Sequence, residues 1–309
     1  MQRHFRELSV AAALLALLSA LAIWAPNFFE PQPLLSRLAA AAPRLLIACG
    51  VALVLITRQI DISVGSLFAV CGTVAALAAA AGSPLPFAIL AALAVGALGG
   101  ALNGLLVAAL GLPSIVVTLA MMVTLREALR LGRQGVFINL PDGAQWFGLP
   151  MVHGQILIGT LALAVLVALA LALRHLAAGR HLYAVGSDAE AARLAGLRPR
   201  LVTFTTFVLL GTLTGLAAVL HAVQSPQVDP AAGRGLELEA IAAAVVGGVA
   251  VTGGRGNLWG VLAGLLLLTC VTPALTYLGV KPHWDRASQG AIILLAVAAD
   301  GLRQRRSRP

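Results

Sequence analysis

Apolar stretches about as long as a bilayer is thick recur along this chain, near 9–25, 43–57, 62–82, 86–110, 113–130, 155–174, 202–221, 237–252, 257–278 and 288–302. A helix needs about 20 such residues to cross the hydrocarbon core. The 309 residues are 60% hydrophobic and 11% charged, which is more apolar surface than a soluble core can hide. The expected fold is therefore all-α, a polytopic membrane protein with about ten transmembrane helices in one domain over 1–309. The eighth run, 237–252, reaches only about 24 Å at roughly 1.5 Å per residue. It contains Gly247 and Gly248 and is followed by Gly253-Gly254-Arg255-Gly256. A short, broken or re-entrant helix is expected there, since irregular backbone persists at membrane depth only when protein covers it or it lines a cavity.

The net charge of +9 does not point to nucleic acid, because the basic residues are dispersed between apolar runs and aromatics are few. Topology accounts for it better. With the N-terminus inside, 13 of the 21 basic residues fall on the cytosolic side, including Arg58, Arg174, Arg180 and the tail from Arg303 to Arg308. Both termini are then cytosolic. The first apolar run follows Arg3, His4 and Arg6 and ends at Ala20-Leu21-Ala22, in the manner of a signal peptide. A retained first span is preferred, because it keeps both ends on one side. The longest outer loop, about 131–154, carries Pro141, Gly143, Trp146 and Pro150 and reads as turns.

Enzymatic chemistry finds no support, since no nucleophile, base and orienting group form a recognisable motif. The one lysine, Lys281, stands in Val-Lys-Pro rather than after a glycine run, so no Walker A cradle for ATP exists. Gly253 to Gly260 fails the dinucleotide spacing and reads as a tight turn. Cys49, Cys71 and Cys270 lie in apolar runs without ligand spacing, so neither a metal site nor a disulfide framework is expected. No cofactor is expected on this chain.

Polar and small residues inside the spans carry the remaining information. Gly96, Gly100 and Gly104 recur every four residues, as do Gly211 with Gly215 and Gly260 with Gly264, spacing that lets helices approach closely in lipid. Asp61 is expected to cap the third span. Asn103 either bonds a neighbouring helix or faces a solute path, and Thr118 bonds its own helix backbone or lines that path. Glu237 and Glu239 open the eighth span, where a helix dipole favours carboxylates. Arg126, Glu127 and Arg130 form the densest charge group in any span. Glu127 and Arg130 pair on one face, leaving either a self-neutralised cluster of snorkelling arginines near the outer interface or a polar outer mouth.

The segment Gly179 to Gly196, within a cytosolic loop at 175–201, reads as a short capped helix between two spans. Ser187 and Glu190 form a capping box, Asp188 and Glu190 complement the helix dipole, and Gly196 is the left-handed stop. The helix is expected from about 188 to 195, with Ala191, Leu194 and Ala195 as an apolar face for a partner's groove. From these residues alone a surface-tidying loop helix explains the pattern equally well.

Read together, these residues resemble the permease subunits of bacterial ABC importers of the ribose type, over about Leu45 to Leu302. The matching motifs are Ile60-Asp61-Ile62-Ser63-Val64-Gly65, the Asn103-Gly104 pair with Pro113 and Thr118-Leu119, the Gly179–Gly196 segment, and Glu237-Leu238-Glu239-Ala240 leading to Gly247-Gly248. Their order and spacing together are specific. Thr118 to Arg130 and Gln134 to Pro141 look closest to rhamnose and autoinducer-2 importer permeases. The resemblance implies a bacterial cytoplasmic (inner) membrane protein. It acts with ABC ATPase subunits that bind ATP-Mg, a second permease copy or paralogue, and an extracytoplasmic sugar-binding protein. It also implies that Gly179, Tyr183, Gly186, Ser187, Glu190, Ala191, Ala192 and Gly196 belong to an ATPase-coupling helix. Asp61, Asn103, Thr118, Glu237, Gly247 and Gly248 would then serve the translocation path or its gating. The chain departs from many relatives at Ser187-Asp188, where they carry an asparagine. Permeases for nucleosides or branched-chain amino acids are the nearest alternatives. An ion-driven secondary transporter, with Glu127 as its ionisable group, and a non-transporting scaffold are the others.

Overall fold

The structure, a computed structural model, describes residues 5–277 and Gly290, so the span expected at 288–302 lies outside the described residues apart from Gly290. Eleven helices are described: α1 (Phe5–Trp24), α2 (Pro31–Ile56), α3 (Val64–Ala80), α4 (Leu85–Gly104), α5 (Ser114–Arg133), α6 (Met151–His175), α7 (Ala177–Ser187), α8 (Ala189–Leu194), α9 (Pro199–Ala222), α10 (Leu236–Val246) and α11 (Leu258–Tyr277). Among the described residues, five are long and apolar enough to cross a membrane. These are α2, α4 with the π-helical turn Leu105–Ala109, α6, α9 and α11 as far as Leu275.

Helix α2 is the axis of the molecule. Between Ala41 and Ile56 every residue except Arg44 is buried, as expected of a helix that is apolar all round. Helices α6, α9, α10 and α11 pack around it. Pro31 starts α2 where a missing N–H costs nothing. Pro43, in its interior, has no N–H to give the carbonyl of Ala39. The side chain of Gln224 donates to that carbonyl instead, at 3.2 Å.

The glycine ladders meet one another. A Cβ on Gly96 would strike the carbonyl of Gly211, and one on Gly100 the carbonyl of Phe207. From the other side, Gly211 faces the Gly96 carbonyl and the Gly100 nitrogen, and Gly215 faces the carbonyl of Ala92. Helices α4 and α9 thus touch backbone to backbone. The same happens between α10 and α11, where Gly247 abuts the Gly260 carbonyl and Gly264 abuts the Ala243 carbonyl. The opposite face of α4 exposes Phe87, Leu90 and Leu98, and α6 exposes Ile156, Leu163 and Leu171, surfaces suited to lipid.

The eighth apolar run is short and broken, as expected: it is helical only over α10, whose 11 residues span about 16 Å, because Gly248 adopts φ +94° and the chain turns. Two expectations are corrected. The 175–201 segment holds two helices rather than one, since α7 precedes the predicted one. The 131–154 loop is not turns alone: β1 (Ile138–Asn139) pairs antiparallel with β2 (Gln227–Val228), Ile138 opposite Val228.

Replacing Gly211 with leucine is expected to lower the thermal stability of the detergent-purified protein by about 1–3 kcal/mol, the cost of overpacking a tight contact. Gly159 has open space around it, and Gly159→Leu should leave the melting transition in place.

Candidate functional site

Two regions gather most of the residues singled out in the sequence. The first is the α7–α8 segment. Asp188, not Ser187, caps α8: its carboxylate accepts from the backbone N–H groups of Glu190 and Ala191 at 2.9 and 3.0 Å. Ser187 is the last residue of α7, so the capping box predicted from it does not form. The cap works because Asp188 is extended, at φ −158° and ψ 107°, which aims its side chain at the first turn. At the other end, Gly196 takes φ +84°. Leu197 N–H donates to the Ala192 carbonyl and Gly196 N–H to that of Arg193, a Schellman stop. Glu190 pairs with Arg193 across one turn.

Helix α8 projects while α7 is locked down. Ala191 is exposed and Leu194 is 77% exposed, whereas Ala192 is buried. A Cβ on Gly186 would fall on the carbonyl of Ile56 at the end of α2. That carbonyl also accepts from Gly254 N–H at 2.9 Å. Arg58, itself at φ +63°, donates to the Ser187 carbonyl, and Tyr183 Oη donates to the Gly256 carbonyl at 2.8 Å. Gly179 sits against the Leu173 carbonyl where α6 hands over to α7. Helix α7 is therefore joined to the end of α2 and to the loop after α10.

The second region is a buried polar knot at the start of α3. Asp61 accepts from Ser63 N–H at 2.7 Å and Ser63 Oγ at 2.6 Å, while Asn103 Nδ2 of α4 donates to Asp61 at 3.2 Å and to Ser63 Oγ at 2.9 Å. Thr118 Oγ1 of α5 donates to the carbonyls of Ser114, at 2.8 Å, and Ile60, at 3.3 Å. Asp61 is 3% exposed and Asn103 and Thr118 are fully buried, so all three face protein here. Burial pushes the Asp61 carboxyl above its ordinary value, against the hydrogen bonds from Ser63 and Asn103.

Glu237 and Glu239 are not helix caps. Gly235, at φ +85°, occupies that position without a side-chain bond. Glu239 pairs with Arg44 of α2 at 3.1 Å. Glu237 is buried against Gly65, and its Oε2 has no hydrogen-bond partner among the described residues. Gly247 and Gly248 form the turn that ends α10.

Arg126, Glu127 and Arg130 stand on α5, with Arg130 Nε donating to Glu127 at 2.6 Å as the spacing predicts. They line a partly open cavity of about 120 Å³ whose other wall is Ser66 and Ala69 of α3 and the 230–234 segment, including Arg234. Sequence reading missed Ser66 and Arg234, which lie far from α5 in the chain and reach it only through the fold.

Residues 34–297 match the family described as branched-chain amino acid transport system / permease component. The autoinducer 2 import system permease of Enterobacter sp. strain 638 is 36% identical over 97% of this chain and 88% of its own length. The ribose import permease of Escherichia coli strain K12 is 34% identical over 94% and 92%. An autoinducer 2 import permease of Salmonella typhi is 33% identical over 96% and 86%. The chain belongs to this permease family. No solved structure matches it.

The permease is thus a multi-pass membrane transport subunit, and its polar knot and the α7–α8 pair are elements of one such subunit. Two outcomes follow from their geometry. The Asp188 carboxyl is held below the usual range by the N–H groups of Ala191 and Glu190, so the cap is fully present above the ordinary aspartate pKa and lost as pH falls through the depressed one. Asp188→Ala should speed amide exchange at Glu190 and Ala191 at neutral pH, and Asp188→Asn should retain much of the protection. Asn103→Leu strips two donors from the buried Asp61 and Ser63 oxygens. A loss of about 1–3 kcal/mol is expected in the same thermal assay.

Proposed function

We propose that the permease is the membrane subunit of an ATP-driven ABC importer for a monosaccharide, forming half of the translocation path and coupling to a separate ATPase that binds ATP-Mg. The observation that carries this reading is the contrast within one loop: α8 stands exposed, while α7 is tied to α2 and to the loop after α10. Nucleotide-driven closure of the ATPase dimer would push α8, and the tie would pass the movement to the ends of the path helices. Two packed arrangements, outward-open and inward-open, then alternate by hinge motion. The ribose and autoinducer 2 relatives favour a sugar as solute. Rhamnose rests on the sequence resemblance alone.

The full reading has ten spans, nine of them α1 to α6 and α9 to α11 and the tenth at 288–302. Both termini are in the cytosol of a bacterial inner-membrane protein. A second copy or a paralogue completes the path, and an extracytoplasmic binding protein delivers the sugar and sets most of the selectivity. The family description favours one other reading, a branched-chain amino acid as solute. Competition of labelled ribose uptake by leucine separates the two.

Ala191→Trp and Leu194→Asp alter only the exposed face of α8. Each is expected to leave the permease in the membrane while lowering ATPase co-purification and sugar uptake by about tenfold or more, a loss of roughly 1.4 kcal/mol in docking. Wild-type recovery of the ATPase and normal uptake in both variants would reject the docking role.

A further inference from the structure

We propose that the cavity between α3, α5 and the 230–234 segment is a solute-contact site that favours an anionic sugar, one bearing a carboxylate or a phosphate. This inference rests on the importer reading for the existence of a solute path, and it adds the chemistry of what passes. Three guanidinium groups line the cavity, from Arg126, Arg130 and Arg234, against the single carboxylate of Glu127. Arg130 is already paired with that carboxylate. Arg126 and Arg234 have no ion pair or side-chain hydrogen bond among the described residues, so two positive charges face the cavity uncompensated.

Arg126, Glu127 and Arg130 lie in the C-terminal half of α5, toward the end that the importer reading puts at the outer mouth, where a solute would enter. The floor of the cavity gives an independent sign. Ser66 is 2% exposed, its Oγ finds no hydrogen-bond partner, and it lines the same space. A buried hydroxyl left unpaired costs about 1–3 kcal/mol, which a ligand oxygen would recover.

The donor set selects the class of ligand. Guanidinium forks bind carboxylate and phosphate bidentately and are always charged. Ser66 Oγ and the free lone pairs of Glu127 suit hydroxyl groups on the same molecule. A neutral sugar would satisfy the hydroxyl partners and leave the two charges uncompensated.

Equilibrium dialysis of the full-length permease, purified in detergent, tests this with four labelled probes: gluconate, ribose 5-phosphate, ribose and inorganic phosphate. Gluconate or ribose 5-phosphate should bind about tenfold more tightly than ribose, with the preference shrinking as salt screens the charges. Whichever of the two binds better identifies carboxylate or phosphate as the group recognised. Arg126→Gln and Arg234→Gln should each raise the Kd of the preferred anion about tenfold, Arg126→Lys should raise it less, and Arg174→Gln, on the exposed end of α6, should not change it. Equal Kd values for ribose and both anions, no binding of any sugar, or wild-type affinity in the two glutamine variants would overturn the proposal. Inorganic phosphate bound as tightly as either sugar anion would also overturn it, by reducing the cavity to a simple anion site. ATPase co-purification is measured on the same preparations. If it persists while the anion preference is absent, the inference alone falls. If the wild-type permease never recovers an ATPase, the importer reading falls instead.

Discussion

Helices in hydrocarbon gain little from hiding apolar surface from one another, since lipid is as apolar as leucine, so what holds them is the closeness of their contact. The permease meets this constraint with glycine. Gly96, Gly100, Gly211 and Gly215 bring the α4 and α9 backbones together, and Gly247, Gly260 and Gly264 do the same for α10 and α11. A Cβ at Gly96, Gly100, Gly211, Gly215, Gly247 or Gly264 would strike the facing backbone and push the pair apart. The placement of the polar knot follows, because Asn103 reaches Asp61 only with α4 held against its neighbours.

Closeness also solves the problem of irregular backbone. Helix α10 stops after 11 residues, and the chain that follows must satisfy its N–H and C=O groups inside the protein. Much of that is done locally: Val249 N–H bonds the Ala244 carbonyl and Ala250 N–H the Arg255 carbonyl. Neighbouring helices supply two further partners: the terminal Ile56 carbonyl of α2 takes Gly254 N–H, and Tyr183 Oη of α7 donates to the Gly256 carbonyl. An apolar helix buried on every side thus also offers its last backbone acceptor to a loop that needs one.

Length and apolar character make the five long apolar helices legible in the sequence, along with the glycine ladders and the left-handed stop at Gly196. What sequence reading got wrong has a physical pattern. The capping signals read in the segment mark only the α8 helix, whereas α7 is defined by contacts that no local signal shows: Gly186 rests on the Ile56 carbonyl and Gly179 on that of Leu173. The cap was assigned to Ser187 by its spacing from Glu190, but α7 already claims Ser187 and leaves Asp188 to turn the corner. Glu237 and Glu239 do stand in the first turn of α10, as their spacing predicts, but the sequence does not show that Glu239 meets Arg44, some two hundred residues away, or that Glu237 lies against Gly65. Local signals settle periods and the left-handed stop. They do not show which distant residue completes a pair, and for the same reason Arg234 and Ser66 stayed hidden from α5.

The Ile56 carbonyl carries one more implication. It is covered by Gly186 from one side and bonded by Gly254 from another, while Arg58 and Tyr183 brace the same corner. At this joint backbone rests on backbone, so a displacement of α7 would meet main chain before side chains. If α8 is pushed as proposed, the movement would reach the foot of α2 and the base of α10 through these main-chain contacts, leaving softer, side-chain-mediated packing to the rest of the bundle.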